Sequence, residues 1–301
     1  MFTGTLRKSA VLFLLVLLVS LLAGCNEPIP NSDLQEAKQA IAVAEAAKAA
    51  QYDPDNLQAA KDSYSKALKM VVEDENAAAR KLALEAKQKA DLATENSRRK
   101  LAEATIKEAE ELLVKADQQR ASFLAAAQFR EAQTKLEDAK RAFSEGKYVQ
   151  AYTDAENSKE ASGKAIDEAN QKMAALNKAF SDADLALKRA LASDVVKKYA
   201  PQELDKIQKD FQQGEQDKKK VEDPSTITAG SKEMRDNLAK DAYDNSLKAA
   251  QKAIDDVSEA FRLALQREQE EYRKMAKDRL DTAKRLLEEI ERLKQQGLIK
   301  S

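Results

Sequence analysis

The chain has 301 residues, with 51 basic and 52 acidic side chains, no histidine, no tryptophan and a single cysteine. Zinc sites built from imidazole and thiolate therefore lack their ligands, Ser-His and Cys-His nucleophile systems lack their parts, and no disulfide can form within the chain. The near balance of charge offers none of the basic surplus with which proteins hold nucleic-acid phosphates.

Arg7 and Lys8 precede an apolar run from Ala10 to Leu22, broken only by Ser20 and too short to span a bilayer comfortably, which reads as the h-region of a signal peptide. Leu22-Ala23-Gly24-Cys25 at its end resembles the lipobox of bacterial lipoproteins. That resemblance implies cleavage before Cys25 and acylation of its thiol and new amino group. Several acyl chains, each contributing about 0.8 kcal/mol per buried methylene, would hold the protein firmly on a membrane. By resemblance to Gram-negative sorting rules, in which aspartate in the next position favours inner-membrane retention, Asn26 points to the outer membrane, and the expected side of that membrane is the periplasmic one. Cleavage takes Arg7 and Lys8 from the 51 basic residues, leaving 49 against 52 acidic ones.

From residue 31 the chain is rich in Ala, Lys, Glu, Gln and Leu, with five glycines and three prolines as punctuation, which predicts an all-α fold. Residues 25–31, containing Pro28 and Pro30, read as a lipidated extended tether. Ser32 with Gln35 three residues on suggests a capping box. Asp53-Pro54 puts a capping side chain before a proline at the first position of a helix, and Ala200-Pro201 repeats the proline. Gly146 suits a left-handed helix end, and Asp223-Pro224-Ser225 to Gly230 is the one long polar loop.

Self-similarity is stronger than any catalytic motif. Leu34, Ala37, Ile41 and Ala44 recur 72 residues later as Ile106, Ala109, Leu113 and Ala116, and again as Phe180, Ala183, Leu187 and Ala190. Leu57, Ala60, Tyr64 and Ala67 are matched by Phe129, Ala132, Leu136 and Ala139, then by Leu204, Ile207, Phe211 and Gly214. A third stripe, Ala79, Ala83, Ala86, Ala90 and Ala93, is matched by Ala151, Ala155, Ser158, Ser162 and Ala165, and then by Ala239, Ala242, Ser246, Ala249 and Ala253. The three-four spacing puts each set on one helical face, so each unit is expected to be three helices meeting along alanine-rich seams. The expected order is a signal peptide (1–24), the tether (25–31), repeats at 32–98, 99–172 and 173–265 with an insertion near 221–230, and a C-terminal helix (266–301). With no breaker inside 76–121 or 147–199, these stretches predict long helices, the second roughly 80 Å long at about 1.5 Å per residue, and an elongated rod or solenoid.

The final segment carries Val257, Phe261 and Ala264, then Ala276, Leu280, Ala283, Leu287 and Ile290, in a heptad-like pattern flanked by charge. Leu280, Leu287 and Ile290 are the candidate partner-binding residues. Pairing with another chain and packing back on the same molecule both fit the pattern.

Two resemblances follow from these motifs. Gly146-Lys147-Tyr148 with Ala151, Ala155 and Ser158 resembles a tetratricopeptide hairpin locally, without the 34-residue period. More broadly, Ala40-Ile41-Ala42-Val43-Ala44-Glu45, then Tyr52-Asp53-Pro54 with Leu57 and Ala60, then the stripe Ala79 to Ala93, resembles an uncharacterised family of alanine-rich helical envelope lipoproteins. Some members continue into OmpA-like domains, whereas here one more helix leads to Ser301. The resemblance implies helix packing and assigns no catalytic residue, so only Cys25, as the lipidation site, carries chemistry.

Lys218-Lys219-Lys220 and Arg98-Arg99-Lys100 have the charge to contact anionic lipid or a cell-wall polymer but in so charged a chain read as solvated faces, and the acids of Asp53-Pro54-Asp55-Asn56 and Asp182-Ala183-Asp184 lack the glycine turn and terminal glutamate of a calcium loop. Tyr52 and Tyr199, each just ahead of a helix start, read as staples of the fold. The expected function is a non-enzymatic, lipid-anchored envelope scaffold or adaptor without cofactor or metal, bound to the membrane through Cys25 and to a protein partner or a second copy through the C-terminal helix. A surface-exposed adhesin-like lipoprotein is the alternative.

Overall fold

The computed structural model describes residues 28–296 and Leu298, and the signal segment and Cys25 lie outside the described residues. Ten α-helices and a short 3₁₀ turn follow one another, with no strand among the described residues, so the fold is all-α. The helices are α1 (Asn31–Ala46), α2 (Ala49–Tyr52), α3 (Pro54–Val72), α4 (Asn76–Gln118), α5 (Ala121–Leu124), α6 (Ala126–Ser144), α7 (Tyr148–Ala192), α8 (Asp194–Tyr199), α9 (Pro201–Glu222) and α10 (Lys232–Gln295). The 3₁₀ turn, Pro224–Thr226, sits in the polar loop before α10.

The long helices form where no breaker falls. The 43 residues of α4 and the 45 of α7 are each one helix, but α7 ends at Ala192, before the stretch expected to run to 199 is complete. Ser193 turns extended there and its hydroxyl accepts from the Val196 amide, opening α8 as an N-cap. Pro54 and Pro201 do open α3 and α9. The Ser32 capping box does not form, because α1 starts at Asn31 with Pro30 ahead of it, and the Pro30 carbonyl accepts from the Leu34 amide at 3.0 Å.

Among the described residues, Lys48 (φ 61°), Asp74 (φ 59°), Arg120 (φ 67°) and Gly146 (φ 73°) adopt left-handed backbone. Lys48 and Arg120 stand 72 positions apart and each opens a four-residue helix, while Asp74 and Gly146, equally spaced, each lie in the turn before a long helix. Only Gly146 takes this conformation without steric penalty.

The chain divides into two compact units, one comprising described residues up to Glu110 with Thr134–Ser158, the other Glu111–Gln133 with Lys159 onward. In the first unit, Leu34 and Ala37 of α1, Ala67 of α3 and Ala83 and Ala86 of α4 form one cluster. Ala40, Ala44, Ala49, Leu57, Ala60, Ala90 and Ala93 form another. These alanines are almost all fully buried, since a methyl side chain lets helix backbones approach closely and fills the remaining space. In the second unit a larger core gathers Phe123, Leu124, Phe129, Leu176, Phe180, Leu187, Val196, Leu204, Ile207, Phe211 and Val257. There Phe180 and Phe211 meet at 5.5 Å with their rings tilted by 43°. The seam of α10 runs through Ala239, Ala242, Ser246, Ala250 and Ala253, so Ala250 is buried where the sequence register placed Ala249.

Candidate functional site

Leu280, Leu287 and Ile290 lie on the last turns of α10, and the tertiary structure leaves them uncovered. The helix stays docked past Leu265. The Arg267 guanidinium binds the Tyr199 carbonyl and meets Glu203 at 2.9 Å, and Lys198 meets Glu271 at 3.2 Å. Beyond Glu271 no described residue of α10 is buried. Leu280 is 56% exposed, Leu287 60% and Ile290 41%. Tyr272, Met275 and Leu286 are exposed as well and widen the same apolar face. Tyr272, eight residues and about two turns before Leu280, was legible from the spacing, whereas Met275 and Leu286, five and six residues from Leu280, flank the stripe and fall outside its three-four pattern.

An open groove of roughly 870 Å³ lies within the first unit, lined by Val43 of α1, Asp91, Thr94, Glu95 and Arg98 of α4, and Gly146 to Gln150 at the start of α7. The Tyr148 ring at its edge is held edge-to-face against Phe143 at 5.4 Å. The hairpin that sequence likened to a tetratricopeptide unit thus forms one wall of the groove.

The Asp53 carboxylate makes no full cap bond to a backbone amide of α3, and side-chain amides satisfy it instead. It accepts from Asn56 Nδ2 at 2.9 Å and from Asn96 Nδ2, on α4, at 2.7 Å. Burial opposes its ionisation, yet the hydrogen bonds from Asn56 and Asn96 and the nearby Lys100 charge outweigh that cost and hold its pKa below the ordinary aspartate value. A carboxylate with a depressed folded-state pKa stabilises the fold above its unfolded pKa and loses that contribution as pH falls through the folded value. Asp53→Asn is therefore expected to lower stability at neutral pH by about 1–3 kcal/mol, the scale of charge-assisted hydrogen bonds. The deficit should shrink below about pH 4, which chemical denaturation at a series of pH values would show.

A second local device was not visible in the sequence. The carbonyl that closes the short helix before each of α3, α6 and α9 receives a basic side chain from a later helix. Lys100 donates to the Tyr52 carbonyl at 2.7 Å, Lys172 to that of Leu124, and Arg267 to that of Tyr199. These are helix C-terminal carbonyls, where cations are favoured. Tyr52 and Tyr199 are half-buried, as fold staples should be. Half of the two basic runs is engaged within the fold: Lys100 as above, Lys218 with Glu222, and Lys220 with Asp217 at 2.7 Å. Asp182 and Asp184 pair with Lys178 and Lys188, each at 2.7 Å.

Among the described residues no group of three or more His, Cys, Asp or Glu is placed to hold a metal, and no helix is long and apolar enough to cross a membrane. Where a carboxylate pKa is displaced, it moves down, because of hydrogen bonds and ion pairs such as that from Arg267 to Glu203. A general acid needs the opposite shift.

Residues 32–109 match the model of a family described as a domain of unknown function, DUF4398. No curated protein and no solved structure matches the chain.

Proposed function

We propose that the chain is a lipid-anchored, non-enzymatic scaffold or adaptor of the bacterial envelope, tethered by acylated Cys25 and presenting helical faces to a partner. The observation that carries this reading is the uncovered apolar face of α10 beyond Glu271, with Leu280, Leu287 and Ile290 at its centre. Fully burying each such side chain is worth roughly 1.5–3 kcal/mol, which a solitary helix forgoes. The lowered carboxylate pKa values and the investment of the fold in alanine seams agree with a binding role. The left-handed residues spaced by 72 and the recurrent basic caps at Tyr52, Leu124 and Tyr199 support three related helical units, the arrangement of the lipoproteins that the sequence resembles. On the same reading the anchor lies in the outer membrane and the folded part faces the periplasm.

Cell fractionation with crosslinking in intact envelopes tests the proposal. Wild-type protein is expected in the membrane fraction and crosslinked to a partner protein, whereas Cys25→Ser is expected to be soluble or to remain as the uncut precursor. Mass spectrometry that finds an unmodified Cys25 within an uncut wild-type chain would overturn the anchor. An absence of crosslinks to any other protein would overturn the adaptor role.

A further inference from the structure

The exposed end of α10 carries its own instructions about what covers it. With Leu280 and Leu287 at heptad position a, Ala276, Ala283 and Ile290 fall at d, Tyr272, Arg279, Leu286 and Leu293 at g, and Lys277, Lys284 and Glu291 at e. Leu280, Leu286, Leu287 and Ile290 are all at least 41% exposed, and none of the residues 272–295 is buried. Building on the reading of this face as a binding surface, we propose that a second copy of the same chain occupies it, as an antiparallel helix pair over residues 276–294.

Charge selects the orientation, and charge together with the overlap of the apolar residues selects the register. In a parallel pair each a residue faces its own copy, so Arg273 would meet Arg273 and Lys294 would meet Lys294 inside the seam. The flanking g-to-e pairs would set Arg279 against Lys284 twice, with no opposite charges to offset them. In an antiparallel pair a faces d. Placing Leu280 on the partner's Ile290 then puts Leu287 on the partner's Ala283 and Lys294 over the partner's small Ala276. Leu286 meets its own copy at the g edge. Along the e edge Lys277 faces the partner's Glu291 at both ends, and Lys284 against Lys284 at the centre is the one like-charged meeting. Sliding this arrangement one heptad one way would bring Lys277 onto Lys284 twice and set Arg273 on Ile290; sliding it the other way pairs Lys284 with Glu291 but carries Leu280 past the end of the partner's α10 at Gln295 and shortens the seam, so the first register, which alone seats Leu280, Leu287 and Ile290 together, is the favoured one. It also keeps the paired stretch clear of Arg267 and Glu271, where α10 is docked on its own unit.

The chain from residue 26 onward retains every described element and has no cysteine, since Cys25 is the only one. Sedimentation of this chain is expected to show a concentration-dependent dimer. Leu280→Lys with Leu287→Lys should make it monomeric while helicity and the melting curve stay unchanged. Lys277→Glu leaves the apolar face intact but turns two attractive pairs into repulsive ones, which should weaken the dimer about tenfold. Adding Glu291→Lys should restore it, a rescue that a parallel pair would not give. Under mild oxidation Leu286→Cys should crosslink to itself, Leu280→Cys should crosslink to Ile290→Cys in a mixture, and neither of the latter two should crosslink alone. A wild-type chain monomeric at all concentrations would overturn the proposal, as would Leu280→Cys crosslinking to itself while Leu286→Cys does not. The adaptor role fails separately: a dimer in solution with no envelope crosslinks to other proteins would keep the self-pair and remove the adaptor, and a monomer with such crosslinks would do the reverse.

Discussion

Ala83→Glu and Ala155→Glu are each expected to lower stability by about 3–5 kcal/mol, the cost of placing an uncompensated charge in a water-excluded contact. Both alanines are 0% exposed. Ala83 lies in α4 and clusters with Leu34 and Ala37 of α1 and Ala67 of α3, and Ala155 lies in α7 within the same compact unit. At either position a glutamate must displace neighbouring backbone or pull its carboxylate out past it, and neither relieves the loss of close packing. Leu84→Glu is the matched control. It is one residue on and 43% exposed, so it should change stability by no more than about 0.5 kcal/mol. Thermal or chemical denaturation of the three variants would decide the matter. Equal melting of all three would mean that the alanine stripes face water.

Gly214→Val is expected to cost about 3 kcal/mol, and even Gly214→Ala should destabilise by about 1 kcal/mol. The smaller change is the more instructive. In an exposed helix, glycine to alanine gains up to about 1 kcal/mol from propensity. At Gly214 on α9, however, a Cβ would lie 2.6 Å from the Ala249 Cβ of α10 and 3.4 Å from the Phe180 ring. The added Cβ and the Ala249 Cβ are each bonded directly to a helix backbone, so relief of the 2.6 Å contact requires α9 and α10 to separate rather than a side chain to rotate. A second substitution tests that account: Ala249→Gly should restore part of the stability lost in Gly214→Ala, whereas two unrelated defects would add. An increase in melting temperature for Gly214→Ala alone would show that the two helices have room to move apart.

The sequence by itself determined the all-α class, the placement of Pro54 and Pro201 at helix starts, the left-handed turn at Gly146 and the faces that become seams. Those features are local. A helix repeats every 3.6 residues, so Ala79, Ala83, Ala86, Ala90 and Ala93 must share a face wherever the helix goes. Proline and glycine fix backbone angles without help from distant residues. Tertiary structure decided the features that depend on who meets whom. Lys48, Asp74 and Arg120 are left-handed without being glycine, a strain that local sequence does not announce and that surrounding packing must hold. Arg120 itself donates to the Val221 carbonyl at 3.0 Å, from a helix about a hundred residues away in sequence. Asp53 read as an N-cap because Asn96 is 43 residues distant, yet the fold brings that amide to its carboxylate. For the candidate interaction face, the heptads identified Leu280, Leu287 and Ile290 but left open whether their own molecule covered them. Only the point at which α10 loses its last neighbours, just after Glu271, settled that, because burial is a property of the assembled helices and periodicity is a property of one.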